Sequence, residues 1–291
     1  MSKKPYIGLF ISIASVSLAA IFIVSCEAPP LSIAFYRMLF TTLIILPFAV
    51  LHKKTRTELL SLSSSNFITM ISVGFILAAH FALWITSLTK TSVASSVILV
   101  TAHPILVASI AHVFFKERLS PVNTLGITFS LLGVTVLLTG NYGLKTMTLQ
   151  GNTLALLGGI AAGLYILGGR KLRKTISTTS YVVIVYSTAT MVLLILCLTT
   201  ESPLYNLSIR DYHIILLMAF ISGILGHTLY NWSLKYIKAS VASVSLLGEP
   251  IGSSLLAFAL PWIQQTPSIY TIIGGSIILS GIYLTAKNSV K

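Results

Sequence analysis

The stretch Leu246–Leu256, LLGEPIGSSLL, sets a carboxylate directly before a proline inside an apolar run. Glu249 is the only charged residue from Ala239 to Gln264, and Pro250 follows it. In water such a pair marks a turn. In a bilayer both residues are costly, the acid by desolvation and the proline by the backbone carbonyl it leaves without a donor. Which solvent surrounds this stretch therefore decides the fold.

Composition answers that question. The chain has 291 residues, a mean hydropathy of +0.93 and 9% charged residues, against about 25% in a soluble domain. A helix that crosses the bilayer core needs about 20 mostly apolar residues. Ten stretches meet that need: 6–26, 31–51, 66–87, 93–115, 121–139, 151–169, 179–199, 212–234, 240–261 and 268–286. The expected fold is an all-α integral membrane protein of ten transmembrane helices. The longest connection is His52–Ser65, so no soluble domain is left to house chemistry.

The net charge of +13 is explained by where it falls. With the N-terminus cytoplasmic and sides alternating, fifteen cations lie inside: Lys3, Lys4, Lys53, Lys54, Arg56, Lys116, Arg118, Arg170, Lys171, Arg173, Lys174, Lys235, Lys238, Lys287 and Lys291. Three lie outside, Lys90, Lys145 and Arg210, and Arg37 falls within the second span. That bias matches the positive-inside rule. The charge is a topology signal, and a nucleic-acid partner is not expected. Both termini are expected on the cytoplasmic side of the cell membrane. The first apolar run is longer than the 7–15 residues of a signal-peptide core, so it is read as an uncleaved helix. Cys26 and Cys197 fall near the external ends of their helices; two apolar thiols and a disulfide both remain open.

The chain repeats itself. HFALWITSLTKTSVASSVILVTAHPILVASI from His80 matches HTLYNWSLKYIKASVASVSLLGEPIGSSLL from His227. Each copy passes a Trp (Trp84, Trp232), reaches Ser-Val-Ala-Ser (92–95, 240–243) and arrives at a polar residue before proline, His103-Pro104 or Glu249-Pro250. Sixteen residues after each proline come Ser120-Pro121 and Thr266-Pro267, a hydroxyl cap and a first-turn proline that start another helix. Five spans per copy is an odd number, so the second copy enters the membrane from the opposite side. Two inverted five-helix repeats are a transporter architecture, with the site near the midplane between them.

The segments TSVASSVILVTAHP…FFKERLSP (Thr91–Pro121) and KASVASVSLLGEP (Lys238–Pro250) resemble the EamA family of the drug/metabolite transporter superfamily. The resemblance covers two EamA-like units, 6–140 and 150–287. It implies a secondary transporter that exports amino acids or other small metabolites by alternating access through a central cavity. One departure is that Ile263-Gln264-Gln265 stands where the family often carries a Gly-Glu pair.

Ionisable groups inside spans are the first candidates for a site. By helix rise, Glu249 lies about 14 Å in from Ser240 and His103 about 15 Å in from Val93, near the middle of a core about 30 Å thick. Glu249 either carries protons or binds a substrate amine, or it satisfies backbone freed by Pro250. His103 is either a packed hydrogen-bonding residue or a pocket residue. His80 and His227 are a repeat-related pair expected to face opposite vestibules. Arg37 either snorkels outward or faces a wet cavity that attracts a carboxylate. Trp84, Tyr230 and Asn231 flank these positions, and Pro104 and Pro250 break their helices. His80, His103, His112 and His227 show no tight ligand spacing, so no metal is expected, and no cofactor motif is present. A nucleotide-sugar or lipid-linked carrier would call for several cavity cations, and only Arg37 lies within a span. An integral-membrane enzyme would need an acid/base cluster, and Glu249 is the only acid within one. The expected partners are a small-molecule substrate, protons and the lipid bilayer; a monomer and a homodimer are both open.

Overall fold

A computed structural model describes residues 3–91, 93–117, 119–141, 149–259 and 269–287. Arg118, Lys145, Lys291, Ile263–Gln265 and the Thr266-Pro267 start signal lie outside the described residues. Every regular element described is helical. In chain order these are α1 (Lys4–Val16), α2 (Ala19–Val24), α3 (Pro30–Leu51), α4 (Lys53–Leu60), α5 (Ser64–Ser87), α6 (Val93–Val100), α7 (Pro104–Phe115) and α8 (Pro121–Asn141). Then follow α9 (Leu149–Leu172), α10 (Thr178–Thr199), α11 (Ile209–Met218), a π-helix (Ala219–Thr228), α12 (Leu229–Ser233), α13 (Ala239–Ser245), a 3₁₀ turn (Leu246–Gly248), α14 (Glu249–Ala259) and α15 (Ile269–Lys287).

Among the described residues, six helical stretches are long and apolar enough to cross a membrane: Lys4–Val24, Pro30–Leu51, Ser64–Ser87, Leu149–Leu172, Thr178–Thr199 and Ile209–Ser233. The expected spans 93–115 and 240–261 are not single helices. The first stops at Val100 and restarts at Pro104, and the second passes through the 3₁₀ turn before Glu249. The cause is local. Proline has no N–H to give to the carbonyl four residues back, and its ring crowds that carbonyl. In the second break the Leu246 carbonyl instead accepts from the Glu249 backbone N–H, one residue earlier than an α-helix would supply it. The Glu249 side chain is therefore not needed for that repair.

Hydroxyl caps start several helices. Ser63 accepts from the Asn66 N–H, Ser177 from Ser180 and Ser208 from Asp211. Each satisfies one of the orphan donors of a first turn. Outward-facing positions are apolar, with Phe10, Phe48, Phe114 and Leu198 all well exposed, which suits contact with lipid tails rather than water.

Small residues set the packing distances. On α9 a Cβ added at Gly159 would sit 2.7 Å from the Val100 carbonyl oxygen, and one at Gly158 would sit 3.2 Å from the Trp84 nitrogen. These glycines let α9 press against α5 and against the broken end of α6. The α8–α15 pair uses the same device. A Cβ at Gly281 would lie 2.5 Å from the Gly126 carbonyl oxygen, and one at Gly133 would lie 2.6 Å from that of Gly274.

Polar contacts tie the connections together. Glu117 pairs with Arg170 at 2.8 Å and also accepts the Ala239 N–H at 3.0 Å, while Arg170 donates to the Leu234 carbonyl at 2.8 Å. Glu58 on α4 accepts from the Ser177 N–H at 2.9 Å and the Ser180 hydroxyl at 2.5 Å. Burial raises the Glu58 pKa, but those bonds and the Arg173 charge more than offset it, so the carboxyl sits below its ordinary range. Cys26 and Cys197 are both free thiols.

Gly281→Leu should separate α15 from α8 and destabilise the protein by about 1–3 kcal/mol, the usual cost of overpacking. A thermal melt in detergent reads this as a lower Tm, with exposed Ser280→Ala as the unchanged control.

Candidate functional site

The two helix breaks meet at one cavity inside the helix bundle. Its volume is about 50 Å3, room for a few waters. Arg37 from α3, His80 and Trp84 from α5, His103 from the first break, His227 from the π-helix, Tyr230 from α12 and Glu249 from α14 all line it. Ser12, Thr101 and Tyr165 complete its polar lining. Seven of the eight residues singled out from the sequence thus share one space. Asn231 stands behind the wall. Its amide nitrogen donates to the Tyr165 hydroxyl and, at 2.7 Å, to the His227 carbonyl. Asn231 thereby fixes the ring of Tyr165.

Arg37 does not snorkel. It is 1% exposed, and its guanidinium carbon sits 4.3 Å above the Phe81 ring and 6.0 Å from the Trp84 ring. Its register explains this: Arg37 falls on the same face as Thr41, whose hydroxyl bonds the Arg37 and Ala219 carbonyls. That face packs inward on the π-helix, so the side chain has no path along lipid.

The two histidines expected in opposite vestibules share the cavity, with ring centroids 6.5 Å apart. A helical side chain leans toward its own N-terminus. Each histidine lies past the midpoint of its helical stretch, His80 within Ser64–Ser87 and His227 within Ile209–Ser233, and both rings line the same cavity. His80 Nδ1–H donates to the Gly158 carbonyl at 2.9 Å, which leaves Nε2 as an acceptor in the neutral ring. The His80 ring stacks on Trp84 at 5.8 Å with planes 10° apart, and His227 meets Phe81 edge-on at 5.2 Å. His103 Nδ1 bonds the Ser243 hydroxyl at 2.7 Å. That bond joins the first break to the Ser-Val-Ala-Ser segment of the second repeat.

Several polar atoms in this wall have no protein partner. Both terminal nitrogens of Arg37, the indole nitrogen of Trp84 and the hydroxyl of Tyr230 are buried without a hydrogen bond. Among the described residues the Glu249 carboxyl has no ion pair or hydrogen bond, although Arg37 and Glu249 act on each other electrostatically. Buried polar groups are normally satisfied, and an unsatisfied one costs about 1–3 kcal/mol. A cluster of them around a cavity with room only for water is the arrangement expected of groups kept for a ligand. Among the described residues no three His, Cys, Asp or Glu side chains gather closely enough to hold a metal ion.

Sequence reasoning passed over Tyr165, Ser12, Thr101 and Ser243. Tyr165 sits in a run of small residues that reads as packing surface, and the serines and Thr101 are common in spans. The π-helix was also missed. Gly223, Gly226 and Thr228, whose hydroxyl bonds the Gly223 carbonyl five residues back at 3.0 Å, are its only trace.

Replacing Arg37 by Met should raise thermal stability, because a buried guanidinium whose two terminal nitrogens lack a hydrogen bond gives way to an apolar side chain of similar length. Tm with and without the substitution measures this. A fall in Tm would mean that the guanidinium holds the fold together.

Comparisons with known proteins place the chain. A model of the EamA-like transporter family matches it twice, at residues 4–139 and 149–287. The uncharacterized transporter YyaM of Bacillus subtilis (strain 168) is 28% identical over 236 residues, covering 78% of this chain and 75% of that protein. The uncharacterized transporter YdfC of the same organism is 23% identical over 256 residues, covering 88% and 81%. An uncharacterized transporter of Archaeoglobus fulgidus is 24% identical over 274 residues, covering 91% and 90%. A solved crystal structure superposes with a TM-score of 0.80 at 16% identity, over 100% of this chain and 99% of that one, a likeness that speaks for the fold alone. The chain is a multi-span membrane protein and belongs to the EamA-like transporter family.

Proposed function

We propose that the protein is a secondary carrier for a small zwitterionic metabolite of the amino-acid kind, coupled to protons and working in the direction of export. The observation that carries this reading is the pairing of Arg37 and Glu249 in one cavity without contact between them. A guanidinium with two free N–H groups suits a carboxylate. A carboxylate across the cavity suits an ammonium. A zwitterion bridging them would neutralise both buried charges at once. One cation in the wall is too little for the several phosphate charges of a nucleotide sugar.

The same reading takes the chain as ten spans in two inverted five-helix repeats, with both termini in the cytoplasm of the cell membrane. Support comes from the double family match, the paired breaks before Pro104 and Pro250, and the His103–Ser243 bond between the repeats. The cavity, about 50 Å3, is too small for such a cargo, so its walls must part to admit and release it. Glu249 serves as the proton site, since a lone carboxylate facing a cavity can release its proton when the ammonium arrives.

Flux of a zwitterionic amino acid in proteoliposomes, with and without a pH gradient, tests the cargo and the coupling. Glu249→Gln should abolish the dependence on the gradient. A variant with the wild-type rate and pH profile would remove Glu249 from the mechanism. Inversion is tested separately by cysteine labelling in a background lacking Cys26 and Cys197. Cysteines at exposed Lys54 and Tyr205, in matching loops of the two halves, should react from opposite sides. Reaction from the same side would rule the inverted arrangement out.

A further inference from the structure

A second recess shares no lining residue with the cavity and lies where α3 leaves its span and α10 enters one. Its volume is about 710 Å3, within the roughly 300–1,000 Å3 range of pockets that enclose small ligands. Phe48 and Leu51 form its apolar wall, Lys54 supplies a cation, and Ser177 and Thr179 stand at the start of α10. Its level follows from the span ends. Leu51 is the last residue of one membrane-spanning helix and Thr178 the first of another. The recess therefore sits where hydrocarbon gives way to headgroups.

Each part of the wall suits one part of an amphiphile. Phe48 is 68% exposed and Leu51 82% exposed, so both offer uncovered apolar surface on the membrane side. Lys54 is exposed, and Lys53 and Arg56 add two exposed cations on the same short helix. The one acid in the recess, Glu58, is already engaged through both oxygens by the Ser177 N–H and the Ser180 hydroxyl. Those bonds also lock α4 against α10, so the recess is a fixed feature of the fold. The surplus charge is positive and sits at headgroup depth, the setting in which basic residues next to a span attract anionic lipid.

We infer that this recess binds one phospholipid of net negative charge, with its phosphate at Lys54 and Thr179 and an acyl chain along Phe48 and Leu51. The site does not depend on the cargo of the central cavity, and the lipid would pin α4 to the membrane surface beside the α3–α10 pair.

The full-length protein, purified in nanodiscs of equal parts phosphatidylglycerol and phosphatidylcholine, provides the test by native mass spectrometry of retained lipid. Wild type should retain phosphatidylglycerol in preference. Lys54→Gln should weaken that preference about five-fold, and Leu51→Gln should lower retention of either lipid. Arg210→Gln removes an exposed cation elsewhere and should leave both unchanged. No preference in wild type, or the same preference in Lys54→Gln as in wild type, overturns the site. Displacement of the lipid by inorganic phosphate alone would also overturn it, in favour of a free-anion site.

Discussion

A backbone inside a bilayer cannot leave its carbonyls to water, and this constraint shapes the rest of the molecule. Pro250 removes one donor within an apolar run. The chain answers by tightening three residues into a 3₁₀ turn, so that the Glu249 N–H reaches the Leu246 carbonyl. The backbone closes its own gap, and Glu249 lines the cavity. The other break is held differently. Its His103 reaches across to Ser243, and Gly159 lets α9 approach the Val100 carbonyl. The same sequence device, a polar residue before proline, thus yields one side chain spent on a bond between halves and one left free.

The membrane fold was legible because it rests on composition and length. Low charge, long apolar runs and capping serines are local properties, and six of the expected spans appear as helical stretches close to where hydropathy places them. The breaks at Pro104 and Pro250 follow from the chemistry of a single residue. Side-chain direction was harder to read. Arg37 lies close enough to a helix end to invite snorkelling, and only its face of α3, shared with Thr41, turns it inward. His80 and His227 differ in expected depth, yet their ring centroids stand 6.5 Å apart in one cavity. Such facts depend on which helices are neighbours, and a single sequence does not state that.

The cavity also separates polar groups by what they already hold. His80, His103 and Asn231 spend hydrogen bonds on Gly158, Ser243, Tyr165 and the His227 carbonyl, and so fix the positions of α9 and the two breaks. Arg37, Trp84 and Tyr230 keep theirs. The first group makes the wall rigid, and the second makes it costly to leave empty. A carrier needs both, because a wall that satisfied all its own groups would have no reason to close around anything else.

The π-helix between Met218 and Leu229 sets the facing of the residues that follow it. Bonds that run to the fifth residue hold one more residue per loop than the flanking α turns. His227, near the end of the π-helix, and Tyr230, just after it, both line the cavity. A change at Gly223 or Thr228 that restored ordinary α bonding would swing both side chains about the helix axis without touching either. Residues outside the cavity wall would then set its shape, and two relatives with the same lining residues could enclose differently shaped spaces.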